Sequence, residues 1–185
     1  MLENAKIPLL GFAAFSGTGK TTLLSKVLPV LKSHGIRVGV LKHAHHNFDI
    51  DHPGKDSHTL RHAGASQMLI ASSKRWALMT ETPEKNDAPD LNEMLSQLDQ
   101  SKLDMILVEG FKGDSFPKIE LHRQSLGKPL LHCDDKDIIA IATDDAIATD
   151  SPIPQLDIND EMKIIDFILG YLNISLQTEK PSIKA

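Results

Sequence analysis

Residues 7–22 read Ile7-Pro-Leu-Leu-Gly-Phe-Ala-Ala-Phe-Ser-Gly-Thr-Gly-Lys-Thr-Thr22. The nearly unbroken apolar run 7–15 predicts a strand covered on both faces. It leads straight into Ala14 to Thr21, which fit the phosphate-loop pattern: Gly or Ala, four residues, Gly-Lys, then Ser or Thr. Each residue type has a task. Gly17 and Gly19 allow turns that a Cβ would oppose. Successive amides from Phe15, Ser16, Gly17, Thr18 and Gly19 can then face inward as an anion nest. A helix beginning near Gly19 adds its unpaired N–H groups at Lys20, Thr21 and Thr22. Lys20 brings a positive charge to the outer phosphates, and the Thr21 hydroxyl suits Mg²⁺.

Outward from this loop, short apolar runs alternate with helical patterns, which predicts an α/β chain with a mostly parallel sheet. Helix 19–34 carries Leu24, Val27, Leu28 and Leu31 on one face. Pro29 inside it should kink it. Strands are expected at 36–42, 67–71, 76–80, 103–108 and 138–142. Residues 118–122 alternate and read as a half-exposed or edge strand. Short helices are expected at 56–63, started by an Asp or Ser, and at 91–98. The final helix is expected at 159–172, capped by Asn159 or Asp160. One nucleotide-binding domain over 1–173 and a flexible tail over 174–185 complete the expectation.

Ligands of parallel sheets lie at the carboxyl ends of the strands. Glu109 ends its strand there and is the candidate carboxylate for Mg²⁺, together with Thr21. Asp104 lies at the other end and reads as a strand-start residue. Lys42 ends the second strand and is a candidate second phosphate contact. Asp49 and Asp51 follow it in a polar loop that can act as a switch. Lys20, Lys42 and Asp49 are thus the candidates for action at the reacting phosphate. After strand 138–142, Thr143-Asp144-Asp145 offers a carboxylate, first of all Asp144, to a guanine edge. The usual Asn-Lys-x-Asp guanine signature is missing, so the residues alone leave the base open.

The chain has 185 residues and a net charge of −5, with 4% aromatics. That balance argues against a general nucleic-acid binder, and stacking on bases is not its main business. No apolar run approaches the ~20 residues of a membrane-spanning helix. Residues 1–6 lack the apolar block of a signal peptide. Cys133 is the one cysteine, which excludes an internal disulfide and suits a reducing cytoplasm.

Four stretches together resemble the MobB family of molybdopterin-guanine dinucleotide biosynthesis adaptors. They are Phe-Ser-Gly-Thr-Gly-Lys-Thr-Thr-Leu-Leu (15–24), Leu-Lys-His-Ala-His-His with the following Asp-x-Asp-x-Pro-Gly-Lys-Asp-Ser (41–57), Arg-Trp-Ala-Leu-Met-Thr-Glu-Thr-Pro (75–83) and Leu-Val-Glu-Gly-Phe-Lys (107–112). The resemblance spans roughly residues 7–170. It implies a P-loop NTPase fold with an extra hairpin or edge-strand region, GTP and Mg²⁺ as ligands, and slow hydrolysis. It also implies a homodimer with strands reaching across subunits. The implied partners are a MobA-type guanylyltransferase, molybdopterin and the chaperones of molybdenum enzymes, with no role for nucleic acid or membrane. By the same resemblance Ser16 to Thr22 bind phosphates and Thr21 and Glu109 lie at the metal.

Loops 14–22, 42–56 and 109–113 contain no arginine, so a stimulating arginine would have to come from Arg61, Arg75 or a partner. Two other functions fit parts of the pattern. One is a small-molecule kinase, although segment 82–93 lacks the arginines of a phosphate lid. The other is metal delivery by His43, His45, His46 and His52, since imidazole suits Zn²⁺ and Ni²⁺.

Overall fold

The computed structural model describes residues 2–44, 48–82, 88–147 and 152–179, with 174–179 as backbone. The chain forms two compact units, one from 1–43 and 90–185, the other from 44–89.

The larger unit is built on six parallel strands: β1 (Leu9–Ala14), β2 (Val38–Lys42), β5 (Met105–Glu109), β6 (Lys118–His122), β7 (Ile138–Thr143) and β8 (Gln155–Asp157). Their order is β2-β5-β1-β6-β7-β8. The strands are joined by parallel ladders throughout, so all six carboxyl ends share one edge. β1 is buried along its whole length because both faces are covered. Leu10, Phe12 and Ala14 face a core shared with helix α1 (Lys20–Ser33) and helix α4 (Glu161–Glu179). Leu9 faces a second core, which holds Leu91 and Leu95 of helix α3 (Leu91–Ser96) and Phe116. A Cβ at Gly11 would fall 2.4 Å from the Phe116 ring, so the strand needs glycine there.

Several expectations shift. α4 continues to Glu179, beyond the Leu172 expected, and the Asp160 carboxylate accepts the amide of Met162 at 3.2 Å. β8, only three residues long, carries too little pattern to be read in advance. β6 is not an edge strand: it lies between β1 and β7 and is buried from Lys118 to Leu121. Its alternating charges are satisfied internally. Lys118 Nζ reaches Asp135 at 3.0 Å and the Asp114 carbonyl at 2.6 Å. Glu120 accepts the amides of Leu131 and His132 at 2.7 and 2.9 Å. Buried charges of this kind are tolerated only when paired and hydrogen-bonded.

The smaller unit holds helix α2 (Asp56–His62) and an antiparallel hairpin of β3 (Gln67–Ala71) and β4 (Trp76–Thr80). The hairpin strands match expectation residue for residue. α2 is not started by an Asp or Ser side chain. Its N-cap is Lys55, with no side-chain cap, and it has no buried residue.

Candidate functional site

The parallel register assembles the site in the larger unit. Gly17 and Gly19 have φ of 85° and 96°, and nothing lies within 4 Å of an added Cβ at either. The demand for glycine is therefore conformational, not a matter of room. Between them Thr18 is buried, and its hydroxyl donates to the Phe15 carbonyl at 2.8 Å, which closes the turn from inside. Gly19, in the left-handed region, is the N-cap of α1.

The N-terminus of α1 receives no side-chain cap and has no acidic residue in its first turn. α3 shows the contrast, because Asp90 accepts the Glu93 amide at 2.8 Å. The positive end of α1 is left for an external anion. Lysines reinforce it. Lys42 pairs in register with Glu109, and the two side chains meet at 3.3 Å. Lys20 lies 3.7 Å from the same carboxylate. Lys112 sits over the Phe15 ring at 5.0 Å, and Lys128 at 5.9 Å. Burial pushes the Lys20 ammonium below its ordinary range, opposed by Glu109 and reinforced by Lys112 and Lys42. One carboxylate among several ammonium groups makes a positive cradle.

Lys20 and Lys42 thus meet at the Glu109 carboxylate, and Thr21 follows Lys20 in the first turn of α1 with its side chain exposed. The turn after Glu109 is tight. Gly110 has φ 94°, and a Cβ there would fall 2.7 Å from that of His43. Phe111 holds φ 53° although it is not glycine. Its ring lies 4.9 Å from His43. Such outliers persist only where their surroundings fix them. Asp104 behaves as a strand-start residue, paired with Arg37 at 2.8 Å.

Sequence reasoning missed Arg123. It follows β6, and β6 runs beside β1 with Leu121 opposite Ala14, so the next turn falls beside the loop. Arg123 Nε donates to the Thr18 carbonyl at 3.1 Å, and its terminal nitrogens reach Asn159 Oδ1 at 3.2 Å and Asp144 at 3.4 Å. Asp144 is therefore already engaged. It also accepts the Gln124 amide at 3.1 Å, which, followed by Arg123, holds its carboxyl below the usual range against the effect of burial. Its neighbour Asp145 is exposed. A cavity of about 250 Å³ opens here, lined by Thr18, Gly19, Thr22, Arg123 and Asn159 among others.

Asp49 lies in the smaller unit, bonded to Arg61. Arg61 also donates to Asp51 and Glu81, each at 2.7 Å, so as a source of a stimulating arginine it is already committed. Of the expected imidazole cluster, His45 and His46 lie outside the described residues.

A family model described as "Molybdopterin guanine dinucleotide synthesis protein B" matches residues 9–144. The chain belongs to the MobB family. It is 50% identical over 173 residues to the molybdopterin-guanine dinucleotide biosynthesis adapter protein of Escherichia coli K12, covering 93% of this chain and 97% of that one. It is 46% identical over 170 residues to the adapter protein of Haemophilus influenzae, covering 92% of each. Among solved structures, a molybdopterin-guanine biosynthesis protein B superposes with TM-score 0.69 at 24% identity, over 89% of this chain and 99% of that one. Bacillus subtilis MobB superposes with TM-score 0.68 at 21% identity, over 89% and 97%. At those identities the likeness establishes the fold alone, which in this MobB-family chain is a six-stranded parallel sheet flanked by helices. Among the described residues no helix is long and apolar enough to cross a membrane.

Proposed function

We propose that this chain is a GTP-binding adapter in molybdopterin-guanine dinucleotide biosynthesis, acting beside a MobA-type guanylyltransferase. The observation that carries the nucleotide reading is the uncapped N-terminus of α1 inside a ring of ammonium groups. Amides from Phe15 to Thr22 surround the phosphates, with Lys20 and Lys42 at the outer ones. Thr21 and Glu109 offer only oxygen donors, the set that Mg²⁺ prefers. They would hold the ion, which supplies charge neutralisation on the phosphates. The cavity beside Thr22, Arg123 and Asn159 suits the nucleoside. At the guanine edge, Asp145 is available, whereas Asp144 would first have to exchange its bond to Arg123.

Slow hydrolysis follows from the same geometry. An arginine aimed at the transition state is worth three to five decades of rate. Arg123, the arginine at this site, is turned onto Thr18, Asp144 and Asn159. The adapter therefore holds GTP until a partner completes the site.

The homodimer is supported by the hairpin. Leu69, Ile70, Trp76 and Leu78 are exposed there, Trp76 by 70%. A lone two-stranded hairpin with apolar surface and open edges is completed by further strands.

The test is a reconstituted reaction of purified MobA-type enzyme, molybdenum-loaded molybdopterin and GTP. Adding this chain should raise the yield of dinucleotide cofactor, and Lys20→Ala should abolish the gain. Equal yields with and without the chain would contradict the proposal.

A further inference from the structure

The smaller unit carries a second constellation that neither the nucleotide site nor the adapter role uses. His58 and His62 stand four residues apart on α2, the spacing that places two side chains on one helix face. Their rings stack with centroids 3.9 Å apart and planes 22° from parallel. Asp49 comes in from the preceding loop. One ligand atom from each of the three side chains lies within 4.8 Å of the others.

The hydrogen bonds favour a ligand set. His62 Nδ1 is 2.9 Å from the His58 carbonyl. A carbonyl can only accept, so Nδ1 carries the hydrogen and Nε2 keeps its lone pair. This is the arrangement by which a protein fixes the tautomer of a metal-binding imidazole. Arg61 ties Asp49 to Asp51 and Glu81, which holds the Asp49 carboxylate in place. Three carboxylates facing one guanidinium leave the neighbourhood negative. One oxygen of Asp51, Oδ2, is buried without a hydrogen-bond partner among the described residues, and the Asp51 side chain is 6% exposed. Its other oxygen is held by Arg61 at 2.7 Å.

We propose that Asp49, His58 and His62 bind one divalent transition-metal ion of the Zn²⁺ class. Two imidazoles and a carboxylate, with a fourth position open to water, suit Zn²⁺. Mg²⁺ and Ca²⁺ require oxygen ligands and are poorly served. The ion clips the loop at Asp49 onto a seven-residue helix that has neither a buried residue nor a side-chain N-cap. Helices so short gain little stability of their own. The site is independent of the nucleotide reading and differs from the His43–His52 cluster that the sequence suggests.

The test is equilibrium dialysis of the metal-free full chain against Zn²⁺, with Mg²⁺ as comparison. One Zn²⁺ per chain should be retained. His58→Ala and His62→Ala should each weaken it at least about tenfold, while His34→Ala and the pair His45→Ala/His46→Ala leave it unchanged. X-ray absorption of the zinc-loaded chain should show two imidazoles and no sulfur. All three ligands lie at the surface or only partly buried, and an unchanged circular-dichroism spectrum and melting temperature of each metal-free variant serve as the folding control. No retained Zn²⁺, unchanged affinity without His58 and His62, or loss on removing His45 and His46 would overturn the proposal.

Discussion

Arg123 Nε donates to the main-chain carbonyl of Thr18 at 3.1 Å, across 105 residues of sequence. This bond ties the end of β6 to the outer wall of the phosphate loop. The same guanidinium grips Asn159 and Asp144, so one side chain sets the loop against the turns after β7 and β8. A charged hydrogen bond of this kind contributes about 1.5–3 kcal/mol. Arg123→Ala should therefore lower GTP affinity by about ten- to a hundredfold by calorimetry. Arg123→Lys, which cannot fork across three acceptors, should recover only part of it.

Glu109 has a different task. It balances Lys20 and Lys42, and under the proposed function it would offer an oxygen to Mg²⁺. Glu109→Gln should keep GTP binding and slow phosphate release in a single-turnover assay. Hydrolysis at the normal rate would remove Glu109 from the metal.

The buried charges of β6 should govern stability more than function. The Lys118 side chain is 2% exposed and pairs with Asp135 at 3.0 Å. Lys118→Ala leaves Asp135 and the Asp114 carbonyl without their partner and should cost about 3 kcal/mol in urea denaturation. Glu120→Gln places an amide NH₂ against one of two amide donors, Leu131 N–H and His132 N–H, and should cost about 1–3 kcal/mol.

The extent to which such features can be read in advance depends on where their partners lie. The phosphate loop is legible because its glycines, lysine and threonine act within eight consecutive residues. The hairpin is legible because two short apolar runs are separated by Ser72, Ser73 and Lys74. β6 misleads because Lys118 and Glu120 look solvated until Asp135 and the Leu131 amide are brought to them. Arg123 gains meaning only from the parallel pairing of β6 with β1. The His58–His62 spacing stood in the sequence, but only the fold brings Asp49 beside it.

Lys20 also makes binding depend on pH. Burial lowers its pKa from 10.5, with Glu109 opposing and Lys112 and Lys42 reinforcing. Bound phosphates favour the ammonium form. Affinity for a non-hydrolysable GTP analogue should then hold at neutral pH and fall as pH climbs through the lowered pKa toward 10.5. Over the same window the unfolded chain binds more protons than the folded one. The nucleotide-free protein should therefore gain stability as pH rises there. Lys20→Ala should flatten the stability trend in thermal titrations of the nucleotide-free protein.

The most direct measurement is isothermal titration of the full chain with GTP, ATP and GDP, with and without Mg²⁺, beside Lys20→Ala. The account predicts saturable binding of GTP that Mg²⁺ strengthens and that Lys20→Ala removes. A folded protein that gives no binding heat with any of these nucleotides, or that binds them equally well without Lys20, would contradict it.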